Sequence, residues 1–73
     1  MTEAELQNTF GDNLAFFLEQ SDMTQRDLAL RTGLSESAIS NYIRKQRTPT
    51  IVAAYAIGNA FGVSIGELLG CGE

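Results

Sequence analysis

Hydrogen-bonding side chains that could do chemistry recur at helical spacing within residues 36–44. They are two serine hydroxyls, an amide, a carboxylate and a guanidinium, carried by Glu36, Ser37, Ser40, Asn41 and Arg44. No nucleophile in this segment stands beside a base that could activate it. The segment therefore indicates recognition through hydrogen bonds, and no enzyme activity is expected.

The composition excludes several other kinds of site. The 73 residues include no histidine and a single cysteine, Cys71, so an internal disulfide cannot form and a zinc site lacks ligands. The N-terminus has no basic segment followed by an apolar run, which argues against a signal peptide. We expect no metal, no cofactor, no small-molecule ligand and no membrane partner, with Cys71 a free thiol in a reducing compartment.

Two short helices joined by a tight turn must position the hydrogen-bonding segment. Thr24 and Asp27 have the spacing of a capping box at the start of the first helix. Gly33 follows that helix where a left-handed stop is needed, and Ser35 stands where the second helix needs a cap. The spacing of Ile39, Tyr42 and Ile43 puts the second helix's apolar side opposite its polar one.

The rest of the chain also has helical periodicity, and the whole predicts one all-α domain over residues 1–73. The expected helices span about residues 3–21, 25–32, 36–44, 51–61 and 65–69. In the first, Gly11 interrupts the apolar residues and marks a bend or a close contact. In the fourth, we expect a buried side of Ile51, Ala54, Ile57 and Phe61, and an outer side of Val52, Ala53, Tyr55 and Ala56.

The order of these residues resembles the helix-turn-helix of the Cro/lambda-repressor/Xre family. The matching pieces are T-Q-x-D-L-A before Gly33, then L-S-x-S-x-I-S-x-Y, then R-T-P. The resemblance runs from about residue 14 to residue 69. It implies a compact five-helix, lambda-repressor-like DNA-binding domain in which residues 36–44 form the recognition helix.

The resemblance also draws attention to three departures from the family pattern. Relatives often hold an arginine and a glutamate at the positions of Leu18 and Ile43. Because both charges are gone together, we expect these two side chains to touch. Lys45 stands where relatives often hold glycine, so the recognition helix should run longer or turn differently there.

Charge is distributed unevenly along the chain. The net charge is −4, yet all five basic residues lie within residues 24–48, a segment with two acids and a formal charge of +3. The remainder therefore carries −7. Such a polarised molecule can present a positive face to phosphates while its acidic back stays solvated.

As the resemblance implies, the expected partner is double-stranded DNA with a near-palindromic operator, bound by a homodimer. Base edges would be contacted by Glu36, Ser37, Ser40 and Asn41. Phosphates would be contacted by Gln25, Ser35, Arg44, Lys45 and Arg47. The dimer interface is assigned to Val52, Tyr55 and Ala56.

The expected role is a phage or bacterial repressor acting in the cytoplasm of the bacterium or infected host. The alternative is a protein-interaction module on the same fold, with DNA binding weak or lost. The acidic total, Glu36 and the uncharged fourth helix favour that alternative. The operator sequence, repression versus activation, and the length of the natural protein stay open.

Overall fold

The computed structural model describes residues 1–70 of the chain. These residues form five α-helices and no strand. They are α1 (Glu3–Gln20), α2 (Gln25–Thr32), α3 (Glu36–Ile43), α4 (Ile51–Phe61) and α5 (Ile65–Leu69). The predicted all-α class is confirmed, and each helix begins and ends within one residue of its expected place. Cys71, for which a free thiol was expected, lies outside the described residues.

Each helix begins at a hydroxyl side chain that accepts a hydrogen bond from a backbone N–H three residues on. The five capping residues are Thr2, Thr24, Ser35, Thr50 and Ser64. Such a cap satisfies one of the donors that a helix start leaves free and stabilises the helix by about 1 kcal/mol. The helix starts are therefore fixed locally.

The hydrophobic core is formed where α1 packs on α3 and α5, α2 packs on α3 and α4, and α4 packs on α5. Its largest fully buried side chains are Phe10, Leu14, Leu28, Ile39, Ile57 and Leu68. The rings of Phe10 and Tyr42 meet edge to face with centroids 5.6 Å apart, which joins α1 directly to α3. Leu18 is buried in this core and Ile43 packs against it, while a direct contact between them stays a prediction.

The prediction for the faces of α4 is wrong at two positions. Ile51 is 79% exposed, whereas Ala53, placed on the outer side, is 3% exposed. The buried residues centre on Ala53, Ala54, Ile57 and Gly58, with Ile51 at the edge of that face in the first turn. A Cβ on Gly58 would lie 2.7 Å from the carbonyl oxygen of Val63, so the chain leading into α5 approaches this side closely.

No helix in residues 1–70 is long and apolar enough to cross a membrane.

Candidate nucleic-acid interface

The polar side of α3 faces solvent and its apolar side faces the core, as the spacing predicts. We call the polar side the recognition face, defined by Glu36, Ser37, Ser40, Asn41 and Arg44. Its members are exposed or half-buried. Ala38, Ile39 and Tyr42, on the other side of the helix, are buried. A helix half in the core and half polar presents its side chains on a rigid support.

The turn before α3 fixes the direction in which that helix leaves α2. Gly33 has φ of +78° and its N–H donates to the carbonyl oxygen of Ala29 at 2.9 Å. The Thr32 hydroxyl donates to the carbonyl oxygen of Leu28 and accepts from the N–H of Leu34. The Ser35 hydroxyl oxygen then accepts from the N–H of Ala38 at 3.0 Å and begins α3. Every step of the turn is thus held by a hydrogen bond.

The start of α2 is held by the predicted capping box. The N–H of Thr24 donates to the Asp27 carboxylate at 3.1 Å, and the N–H of Asp27 donates to the Thr24 hydroxyl at 3.0 Å. The backbone N–H of Thr24 lowers the pKa of Asp27 most, followed by the Thr24 hydroxyl, with further lowering from the charges of Arg31 and Arg26. Neither arginine lies within 4.0 Å of an Asp22 or Asp27 carboxylate in the described structure.

α3 ends in a left-handed turn in which Lys45 takes the place usually given to glycine. The φ of Lys45 is +64°, its N–H donates to the carbonyl oxygen of Tyr42, and the N–H of Gln46 donates to that of Asn41. These two bonds are those of a Schellman motif. The predicted alternative of a longer helix is therefore not adopted: the backbone turns as glycine would, at a cost of about 1–2 kcal/mol for a residue with a Cβ.

Side chains of α1 hold the loop that follows α3, residues 44–50. Lys45 Nζ lies 2.8 Å from Asp12 Oδ1. Further along, the Thr48 hydroxyl accepts from Gln7 Nε2 at 2.7 Å and donates to Glu3 Oε2 at 2.6 Å. The loop that carries three of the five basic residues is therefore tied to α1 at two points.

The backbone of α1 also touches the end of α3. A Cβ on Gly11 would lie 2.7 Å from the carbonyl oxygen of Tyr42 and 3.2 Å from that of Ile43. Of the two expectations for Gly11, a bend or a close contact, the structure shows the close contact. α1 runs unbroken from Glu3 to Gln20 through this contact.

The residues predicted to contact phosphates differ in their exposure and in whether another side chain already binds them. Arg44 and Arg47 are exposed, as are Gln25 in the first turn of α2 and Ser35 before α3. Lys45, by contrast, is engaged with Asp12. Arg44 also donates from Nη2 to Asn41 Oδ1 at 3.4 Å, so one predicted phosphate contact touches one predicted base contact.

A separate apolar surface lies at the N-terminal end of α4. Ile51, Val52 and Tyr55 are 79%, 77% and 60% exposed. Ala56, the third residue predicted for a dimer interface, is half-buried. Since Ile51 was expected in the core, the exposed apolar surface is larger than the sequence predicted.

Comparison with known proteins agrees with this geometry. Residues 14–68 match the model of the helix-turn-helix family. The chain is 31% identical over 65 residues to an uncharacterized HTH-type transcriptional regulator, y4dJ, of Sinorhizobium fredii, covering 89% of this chain and 84% of that protein. Its fold is similar to the crystal structure of a hypothetical transcription factor, NHTF, from Neisseria, with a TM-score of 0.85, 25% identity, and coverage of 94% of this chain and 79% of that one. The chain therefore belongs to the Cro/C1/Xre-type helix-turn-helix family of transcription regulators.

Proposed function

We propose that this protein binds double-stranded DNA sequence-specifically, as a bacterial or phage repressor, with α3 in the major groove. The observation that carries the proposal is the recognition face: hydrogen-bonding side chains on the open side of a helix whose other side is buried. The α2–turn–α3 geometry is the arrangement by which a helix-turn-helix presents its second helix to base edges.

Base recognition is assigned to the recognition face according to its chemistry. The Asn41 amide can bond adenine at N6 and N7 together, and Glu36 can accept from cytosine N4. Ser37 and Ser40 donate or accept over short distances and bring the helix backbone close to the bases. Because Glu36 is repelled by phosphate, its charge favours an approach in which it faces a base edge.

Phosphate contacts are assigned to the residues around both ends of α3. Gln25 lies where the N–H groups at the start of α2 point outward, which suits an anionic oxygen. The Ser35 hydroxyl keeps its own proton free to donate, since its oxygen serves as the cap. Arg44, Lys45 and Arg47 supply the positive charge.

The first prediction concerns Arg47, an exposed cation without an ion pair in residues 1–70. Arg47→Ala should weaken binding to operator and random duplex equally. One fewer neutralised phosphate lowers the slope of log affinity against log salt by about 0.9. The loss of affinity between 50 and 200 mM salt would then be about threefold smaller for the variant than for the wild type. Fluorescence anisotropy with labelled duplexes measures this, and Arg31→Ala, with the same charge change outside the proposed interface, should leave the slope unchanged.

The same titration decides between the two functions. The net charge of −4 and the exposed apolar surface of α4 favour a protein-interaction module as the second candidate. Absence of salt-dependent binding of the wild-type protein at micromolar concentration would reject the DNA-binding function in its favour. Selection of bound sites from a random duplex pool then gives the operator, its half-sites and their spacing.

We further propose that α4 forms a homodimer interface through Val52, Tyr55 and Ala56, extended by Ile51. Residues 48–66 contain no charge, so two copies that each carry −4 can meet there without close like-charge pairs. A twofold dimer would match a near-palindromic operator.

The dimer proposal predicts the behaviour of two matched variants. Val52→Asp should shift the protein towards monomer in sedimentation velocity and lose affinity for a full palindrome while retaining half-site affinity. Leu30→Asp, on α2, is the control because Leu30 is 75% exposed against 77% for Val52. Equal loss of dimer in both variants, or a wild-type protein that is monomeric on the palindrome, would contradict this interface without touching the DNA-binding proposal.

A further inference from the structure

The path of the Lys45 side chain is unusual for a cation expected to contact DNA. The left-handed turn fixes its backbone at the end of α3 through two hydrogen bonds. From there the stem passes over Gly11, with Cγ 2.9 Å from where a Cβ on that glycine would lie. The ammonium then reaches Asp12, the next residue of α1, at 2.8 Å.

This ion pair lies at the surface. The Lys45 side chain is 37% exposed and that of Asp12 is 62% exposed. Exposed pairs add little to folding stability, because water screens them and both side chains lose freedom. Stabilising the fold is therefore a weak explanation for the ion pair. The close packing of Gly11 against the end of α3 already joins α1 to α3.

The acids of α1 reach the loop at two places, through Asp12 at Lys45 and through Glu3 at Thr48. Both are carboxylates placed against the segment that the proposed function assigns to phosphate contact. A carboxylate and a phosphate offer an ammonium the same kind of anionic oxygen acceptor. The two acceptors therefore compete for the positive charge and the three N–H donors of Lys45.

We infer that Asp12 competes with the DNA phosphate for Lys45 and so lowers the affinity of the protein for DNA. The inference rests on the proposed function. In the free protein Asp12 holds the ammonium. On DNA, Asp12 and a phosphate oxygen share Lys45, so its phosphate contact is incomplete, and the charge of Asp12 stays beside the polyanion. Asp12 is thus an affinity-setting residue that acts through Lys45.

The test is a double-mutant cycle with Asp12→Asn and Lys45→Gln, measured by anisotropy on random duplex and selected operator from 50 to 200 mM salt. Asp12→Asn should tighten binding at 50 mM salt about two- to fivefold. It should also steepen the salt slope by up to about 0.9, because Lys45 engages a phosphate fully. In the Lys45→Gln background the slope change should vanish and the tightening should shrink. Glu19→Gln, the same charge change at an exposed residue of α1, should leave the slope unchanged.

Each other outcome overturns the inference. Equal tightening in both backgrounds would mean that Asp12 only repels DNA at a distance. Weaker binding by Asp12→Asn together with a lower thermal midpoint would assign the pair to structure, and Asp12→Ser repeats the cycle with a shorter side chain if the asparagine variant folds poorly. If wild type binds DNA and Asp12→Asn leaves the slope unchanged, the inference fails alone. If neither binds duplex at low salt, the proposed function fails with it.

Discussion

Replacing Gly11 by alanine should destabilise the fold, because forcing an extra carbon into a filled contact costs about 1–3 kcal/mol. The new Cβ would lie 2.7 Å from the Tyr42 carbonyl oxygen and 3.2 Å from that of Ile43. Both oxygens belong to the last turn of α3, which the left-handed turn holds in place. Backbone atoms so held cannot move aside as the end of a flexible side chain can.

The opposing effect of this substitution is smaller. Alanine is favoured over glycine within a helix by about 1 kcal/mol, and α1 continues through Gly11. Ala15→Gly, at an exposed position of the same helix, measures that preference with no packing change. The free energy of unfolding lost in Ala15→Gly, added to that lost in Gly11→Ala, gives the full cost of the clash.

Relief of the clash must separate α1 from α3, which predicts a loss of function as well. The recognition face would shift relative to α2, against which α3 packs. Urea unfolding followed by circular dichroism gives the stability, and anisotropy at a temperature where the variant stays folded gives DNA affinity. A Gly11→Ala protein more stable than wild type by the full helix preference measured with Ala15→Gly would mean that there is no clash and that α1 does not pack on α3 as described.

Most of the local structure could be predicted because its causes are close in sequence. The starts of α2, α3, α4 and α5 follow from hydroxyl caps three residues from the N–H they accept. The stops at Gly33 and Gly62 follow from the freedom of glycine at positive φ. The division of α3 into a buried side and the recognition face follows from its periodicity.

Two features could not be predicted, each for a physical reason. On α4, apolar residues fill both sides, so no polar residue marks the outside and Ile51 was assigned to the core. The ties from α1 to the loop join residues 33 to 45 positions apart, such as Asp12 with Lys45 and Glu3 with Thr48. Pairs that distant leave no periodic signal in one sequence. The Arg44–Asn41 bond, by contrast, joins residues three positions apart at the end of α3, a spacing that could have indicated it.

The second large effect is expected at Asn41, where alanine should remove most of the preference at one base pair. A bidentate contact from asparagine to adenine discriminates by about 1–3 kcal/mol, which is roughly a 5- to 150-fold ratio of affinities. Arg44 donates to Asn41 Oδ1, which leaves the second lone pair of that oxygen and both Nδ2 protons for the base. The guanidinium thus orients the amide without using up its capacity.

The variant should fold normally, because the turn that ends α3 uses the backbone of Asn41, and its side chain loses only an exposed bond to Arg44. Its carbonyl oxygen accepts from the N–H of Gln46 at 2.9 Å whatever the side chain, and alanine favours helix.

Competition between the selected operator and versions with each base pair substituted in turn would measure the preference. Asn41→Ala should flatten the profile at one position per half-site and leave affinity for random duplex nearly unchanged. Arg47→Ala is the contrasting control, since it should lower every affinity and keep the profile. A profile unaltered by Asn41→Ala would remove this amide from base recognition, and an equal loss on all sequences would place it on the phosphates instead.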